Sequence, residues 1–91
     1  PGMVLNVRAS AAGDGKIKLR WKREPHAKAY IVRMSVDNLP GPPQWTDEKP
    51  SFRCSLIITD LTPGKMYYFV VQAINQLGIG DMSEIANARC M

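Results

Sequence analysis

The segment from Lys16 to Lys22 alternates strictly between cationic and apolar side chains, and this pattern limits the possible folds more than any other feature of the sequence. Successive side chains of an extended chain point to opposite faces, so Ile17, Leu19 and Trp21 share one face and the four cations share the other. The segment therefore predicts a half-buried β-strand with its apolar face on a core.

The remaining sequence is divided into short apolar runs by clusters of Gly, Pro, Asp and Asn, which is typical of many short strands. A weaker alternation predicts a first strand from Val4 to Ser10, with Leu5 and Val7 facing inward. Residues 66–74 are almost continuously apolar and rich in aromatic and β-branched side chains, which favours a central strand over a helix. Further strands are predicted at residues 29–36, 44–46, 53–59 and 83–90, with the one at 44–46 a short edge strand.

Proline and glycine define the predicted loops. Residues 37–43 contain three prolines and one glycine, which predicts a loop, and Pro50 is predicted to end the short edge strand. Residues 62–65 fit a tight turn, because Pro63 presets its φ angle and Gly64 supplies a positive one. Residues 75–81 are predicted to form a hairpin-like loop.

A length of 91 residues predicts one domain over residues 1–91, and 45% hydrophobic residues are enough to fill its core without a metal or a disulfide. The start at Pro1 suggests processing or excision from a longer protein, and a trimmed tag would leave the same start. No stretch reaches the ~18 apolar residues of a membrane-spanning helix, so we expect no membrane insertion.

Three blocks of the sequence carry a family resemblance. They are Ile17-Lys18-Leu19-Arg20-Trp21, then Ala29-Tyr30-Ile31-Val32-Arg33, and finally Leu61-Thr62-Pro63-Gly64-Lys65-Met66-Tyr67 followed by Phe69, Val71, Ala73, Asn75, Gly78, Gly80 and Ser83. Together these blocks resemble the fibronectin type III family. The last block is similar to the family's Leu-x-Pro-x-x-x-Tyr corner and the strands around it. The turn before the second strand and the Tyr30-Ile31-Val32-Arg33 segment look like those of bacterial members.

The resemblance implies an all-β, seven-stranded, immunoglobulin-like antiparallel sandwich. It also implies structural roles in the core for Trp21, Tyr30, Leu61 and Tyr67, with the Tyr67 hydroxyl bonded to backbone at a tyrosine corner. The implied topology places Cys54 and Cys90 at opposite poles, ~20 Å apart at about 3.3 Å per strand residue. A disulfide needs Cα atoms within ~7 Å, so we expect no bridge between them.

The sequence offers no convergent catalytic or metal-binding set, and we expect no enzyme activity and no cofactor. Its one histidine, His26, lies near Glu24 in a predicted loop, where such a pair is ordinarily solvated charge. The family resemblance implies an interaction or spacer module that is monomeric when isolated, with an extracellular or cell-surface location favoured. The family's adhesive Arg-Gly-Asp and cytokine-receptor Trp-Ser-x-Trp-Ser signatures are absent.

Two predicted surfaces could bind a partner. The first is an apolar face formed by Ile31, Tyr68, Val70 and Ile85, which Trp45 could extend and which fits a protein partner or an adjacent domain. The alternative for this face is that Trp45 and the proline-rich loop fold over it.

The second surface is the cationic row Lys16, Lys18, Arg20 and Lys22, with Arg8 and Arg53 beside it. A net charge of +4 permits such a row to bind an anionic polymer, an acidic polysaccharide or nucleic acid, or an anionic membrane surface. The alternative here is an ordinary solvated face that blunts edge pairing. Of the two functions, the protein-contact module is favoured over the polyanion-binding one.

Overall fold

The computed structural model describes residues 1–36, 42 and 44–91, and within those residues it contains β-strands and no helix. The strands are β1 (Arg8–Gly13), β2 (Lys16–Arg20), β3 (Ala29–Val36), β4 (Thr46–Ser51), β5 (Ser55–Ile58), β6 (Met66–Asn75), β7 (Gly78–Ile79) and β8 (Ala86–Arg89). Every pair is antiparallel. The additional strand relative to the predicted seven is β7, which forms a short hairpin with the end of β6.

The strands form a three-stranded sheet in the order β1-β2-β5 and a five-stranded sheet built around β3 and β6. In the larger sheet β4 lies outside β3, and β7 and β8 pair with β6. Apolar side chains from both sheets meet in one core cluster, as in a two-layer sandwich. The predicted immunoglobulin-like sandwich is confirmed.

Most of the core comes from strands β2, β3 and β6, in which every second side chain points inward. Ile17 and Leu19 of β2 are fully buried, and β3 and β6 contribute every second residue to the same cluster. The structure places all four residues that the resemblance assigned to the core in this cluster, namely Trp21, Tyr30, Leu61 and Tyr67. The rings of Trp21 and Tyr30 meet edge to face with centroids 5.3 Å apart.

The corner before β6 has the predicted geometry. Gly64 has a φ of +89°, and the Lys65 N–H donates to the Thr62 carbonyl at 3.3 Å. The Thr62 N–H donates to the Tyr67 hydroxyl at 2.9 Å, which fastens the corner to a buried ring. This is the arrangement of a tyrosine corner.

The predicted first strand is wrong in its bounds and in the inward position of Leu5, whereas Val7 packs against the core as predicted. Strand β1 begins at Arg8, Val4 is buried in the core cluster, and Leu5 is 50% exposed. The reason is Asn6, whose φ of +57° lies in the left-handed region and interrupts the two-residue alternation. We call residues 1–7 the amino-terminal strap; its Leu5 carbonyl accepts a hydrogen bond from the Lys22 N–H at 2.9 Å.

The predicted edge strand is also displaced. Strand β4 covers Thr46–Ser51 where the sequence predicted residues 44–46, and Pro50 lies inside it. Within the described sheet β4 pairs only with β3, so one side of β4 is a free edge. A proline is tolerated there because its backbone nitrogen, which has no hydrogen to donate, can face that free edge. The predicted loop at residues 37–43 lies, apart from Pro42, outside the described residues.

The two chain ends lie at opposite poles of the sandwich. A side chain at Gly80, near the end of β6, would stand 2.7 Å from the Pro1 carbonyl oxygen, so the strap starts at that pole. At the other pole the Gly15 N–H donates to the Met91 carbonyl at 3.1 Å and the Gly64 N–H donates to the Cys90 carbonyl at 2.8 Å. Cys54 and Cys90 are both free thiols, as expected.

Candidate contact surfaces

The outer face of the five-stranded sheet carries the residues that the sequence assigned to it. The register of β3 with β6 sets Ile31 opposite Gln72 and Ser35 opposite Tyr68. Since cross-strand partners share a face, Ile31, Tyr68 and Val70 all point away from the core, as expected.

Val70 is not available on that face, and the expectation that it is exposed is wrong. Its exposure is 1% although it lies outside the core cluster between the sheets, and its neighbours Ser35 and Gln72 are buried as well. A short valine on a central strand lies below the longer side chains around it, such as Arg33 directly opposite. The middle of the outer face is therefore covered, and Val70 cannot be a contact residue.

The remaining members of the predicted apolar face are only partly accessible. Ile31 and Tyr68 are half-buried, and Trp45 is half-buried immediately before β4. The alternative in which the proline-rich loop folds over this face concerns residues that the structure largely leaves undescribed. These three residues therefore offer a partner only part of their side chains.

Ile85 lies at the edge of the same face and is 52% exposed. The β6–β8 register pairs Phe69 with Ala86, so Ile85 follows one position further along, next to Val70. Ile85 lines a groove of about 410 Å³ between the strap and the chain entering β8, together with Met3 and Leu5. Met3 is 40% exposed, so three apolar side chains border this groove, which we call the strap groove.

The lining of the strap groove is mixed. It includes Arg8 and Glu84, so one positive and one negative side chain border the groove together with the three apolar ones. On its other side the strap borders a second groove of about 290 Å³, where Met3 and Leu5 face residues 22–25. Sequence reasoning missed Met3 and Leu5 because the alternation predicted Leu5 inward; Asn6, a residue type that tolerates the left-handed conformation, was the one available signal.

The cationic row lies on the outer face of the three-stranded sheet. Lys16, Lys18 and Arg20 are exposed on β2, and Lys22 is exposed just beyond it. The register of β1 with β2 sets Arg8 directly opposite Arg20, so two guanidinium groups occupy one cross-strand pair. Arg53 is exposed in the connection before β5.

His26 and Glu24 contact each other through the backbone and not through the imidazole. The His26 main-chain N–H donates to the Glu24 carboxylate at 3.1 Å, and the His26 residue is exposed. Within residues 1–36, 42 and 44–91, no group of three His, Cys, Asp or Glu side chains is placed to hold a metal ion.

Tyr30 has the one resolved pKa shift in the described part of the chain. Burial raises the pKa of its hydroxyl above the ordinary value. The Glu24 main-chain N–H donates to that hydroxyl at 3.0 Å and lowers the pKa in part, while the Cys54 thiol, 3.6 Å away, raises it. The group lies inside the core and not on a binding surface.

A two-sheet antiparallel sandwich with a tyrosine corner and no helix in its described residues defines a class of protein, the immunoglobulin-like β-sandwich domain. The sequence matches the profile of the fibronectin type III domain over residues 2–89. The chain belongs to that family.

Solved structures with the same fold come from several sources. The crystal structure of FN3tt is 22% identical with a TM-score of 0.81, covering 99% of this chain and 94% of that one. An Fn3-like protein from Clostridium thermocellum is 22% identical with a TM-score of 0.80, covering 100% and 94%. Domains d3-d4 of the extracellular region of rat CD45 are 22% identical with a TM-score of 0.78, covering 98% of this chain and 49% of that one.

The bacterial and the rat proteins are equally similar in sequence, so identity does not separate them, and the bacterial character stays a prediction. Fibronectin type III domains are generally modules of larger proteins that mediate interactions or spacing, and they are typically non-catalytic. Across residues 1–36, 42 and 44–91 there is no helix of the length and apolarity that crossing a bilayer requires.

Proposed function

We propose that this domain is a non-catalytic contact module of a larger protein, and that it binds a protein partner or a neighbouring domain at the strap groove. The observation that carries the proposal is the grouping of Met3, Leu5 and Ile85, each at least 40% exposed, around one groove of about 410 Å³. Contiguous exposed apolar area rimmed by charge is typical of protein contact sites.

The position of the groove supports a contact with an adjacent domain. The strap begins at the Gly80 pole, and the chain end at Met91 lies at the other pole, so domains linked in series would be held at opposite ends of the sandwich. A domain attached before the strap would lie beside the groove. Tyr68 and Ile31 are half-buried on the outer face of the same sheet as Ile85.

The proposal is tested by comparing the amide NMR signals of the isolated domain with those of the same domain, selectively labelled, within its full-length polypeptide. We expect the signals of residues 3–5 and 84–85 to shift on going from the isolated to the full-length form. Ile85→Ser should reduce these shifts while leaving the domain folded, because Ile85 is half exposed.

Leu77→Ser is the matched control, because Leu77 is 92% exposed in the turn between β6 and β7 and does not line the strap groove. Equal shifts in the wild type and in Ile85→Ser, or shifts confined to residues away from the strap, would contradict the proposed contact. Val70→Ser is unsuitable as a contact test, since burial of Val70 makes it a test of folding stability.

A further inference from the structure

Strand β5 has a free edge, because among the described strands it pairs with β2 alone. The Trp21 N–H donates to the Cys54 carbonyl at 3.1 Å, so the backbone groups of Cys54 point toward β2. This direction alternates along an antiparallel strand, so the backbone groups of Ser55 and Ile57 point away from β2. The Ser51 hydroxyl donates to the Ser55 carbonyl at 3.0 Å, as this direction requires. Within the described residues, the N–H and C=O of Ile57 therefore face the open side of the sheet.

The sequence of β5 lacks the features that hinder strand pairing at two other sheet edges. Strand β1 has a bulge between Ala11 and Gly13, and β4 contains Pro50. Strand β5 reads Ser-Leu-Ile-Ile, without a charge, a proline or a glycine, and its Ile57 is 53% exposed. Edge strands without such protection are templates for pairing with another chain. Of these three edge strands, β5 is the one best suited to accept a further strand.

A groove of about 330 Å³ lies beside this free edge, and we call it the edge groove. Residues 57–61 line one side of it, and Met34 and Lys49 of the larger sheet line the other. The β3–β4 register sets Lys49 opposite the core residue Val32, so Lys49 points toward the layer of the smaller sheet. Lys49 is nevertheless exposed, which means that no described strand of the smaller sheet covers it. The edge groove thus has the position of a fourth strand next to β5.

The charges around the edge groove favour an acidic occupant. Lys18 is exposed opposite Ile57 on the outer face, so it would stand two strand spacings, about 10 Å, from a strand added to β5. Lys49 would lie on the inner side of the added strand. Asp60 is the one carboxylate in the lining, and it lies beyond the end of β5, where its φ of +61° ends the extended conformation. An acidic side chain on either face of the added strand would therefore be attracted by a lysine.

We propose that the free edge of β5 binds an extended acidic segment of a partner protein, which adds a fourth strand to the three-stranded sheet. Backbone hydrogen bonds to Ile57, and to Thr59 one alternation further, hold the segment, and the two lysines select its charge. A second copy of this chain fits less well, because its own β5 contains no acidic residue. The edge groove shares no lining residue with the strap groove, so this site is independent of the proposed protein contact.

The experiment titrates a blocked peptide of alternating Glu and Val into the intact, isotopically labelled domain and follows the amide NMR signals. We expect the signals of residues 57–59 to shift most, and the Ile57 amide hydrogen to exchange about 10-fold more slowly with solvent in the complex. The same peptide with its central residues N-methylated keeps its charge but loses its backbone donors. It should bind at least about 10-fold more weakly, because each lost hydrogen bond lowers the affinity.

Two pairs of variants separate the backbone contribution from the charge contribution. Ile57→Pro removes the edge-facing N–H at a position where proline is tolerated, and it should abolish binding, whereas Ile57→Thr keeps the N–H and should bind within about 3-fold of the wild type. Lys49→Gln should weaken binding by about 3-fold. Lys28→Gln is its matched control, because Lys28 is exposed outside the edge groove and its removal changes the net charge equally.

Undiminished binding of the N-methylated peptide, or of the wild-type peptide to a folded Ile57→Pro domain, would overturn the added strand. The N-methylated peptide keeps the test valid if Ile57→Pro does not fold. Equal affinity for a peptide of alternating Lys and Val would overturn the acidic partner. Shifts at residues 57–59 that depend on domain concentration without peptide would make a second copy the occupant, and no binding of the Glu and Val peptide would overturn the site.

Discussion

Replacing Tyr67 with Phe removes the hydroxyl that joins the corner before β6 to the core. The hydroxyl accepts the Thr62 N–H at 2.9 Å, and the Tyr67 side chain is buried. Losing the partner of a buried polar group costs about 1–3 kcal/mol. Thr62 is exposed, so water can reach its freed N–H, and we place the expected loss of unfolding free energy at about 1.5 kcal/mol.

For a domain of this length, a loss of that size lowers the melting temperature by about 6–12 °C. Chemical and thermal denaturation followed by circular dichroism measure the change directly. Tyr68→Phe is the matched control, since it makes the same chemical change one residue away on a half-buried outer position, with an expected effect within about 0.5 kcal/mol. A neutral Tyr67→Phe variant, or an equal loss in both variants, would refute the assignment of the corner.

Three further outcomes are expected. Trp21→Ala should cost about 3–5 kcal/mol in urea denaturation by leaving a cavity in the core, and a loss below 1 kcal/mol would contradict its central position. Both thiols should titrate after denaturation, and in the native state half-buried Cys54 should react faster than buried Cys90. A monomer in which no thiol titrates would show that the two cysteines are not free. The raised pKa of Tyr30 favours its neutral form in the fold, so the unfolding free energy should fall as pH rises above about 10. Tyr30→Phe should reduce this fall. Equal pH dependence of the unfolding free energy in the wild type and in the variant would contradict the raised pKa.

Strands with a strong local pattern were predictable from the sequence. Strand β3 has the predicted bounds, Ala29–Val36, and the predicted β6 differs by one residue at its end. In β3 the apolar side chains Tyr30, Val32 and Met34 recur with a period of two. In β6 a continuous aromatic and β-branched run follows a turn that has Pro63 and Gly64 at the positions its geometry requires. Where the local pattern and the tertiary packing agree, the sequence alone is sufficient to predict a strand and its bounds.

The contact surfaces were less predictable, because exposure depends on neighbours that are distant in sequence. Alternation assigned Val70 to the outer face correctly, but its burial depends on the longer side chains around it on a central strand. The positive φ of Asn6 reverses the inward and outward positions of Val4 and Leu5, and a single residue of that type is a weak signal. The Arg8–Arg20 pair required the register of two strands, which the sequence alone does not specify.

The amino-terminal strap has a consequence for the order of folding. Val4 belongs to the core cluster, yet the contact of the strap with Gly80 joins positions separated by almost the whole chain. Closing such a long loop costs the most chain entropy, and contacts of this kind tend to form late. We expect the strap to dock last during folding and to detach first from the native state. Proteases would then cleave the detached strap before the two sheets separate.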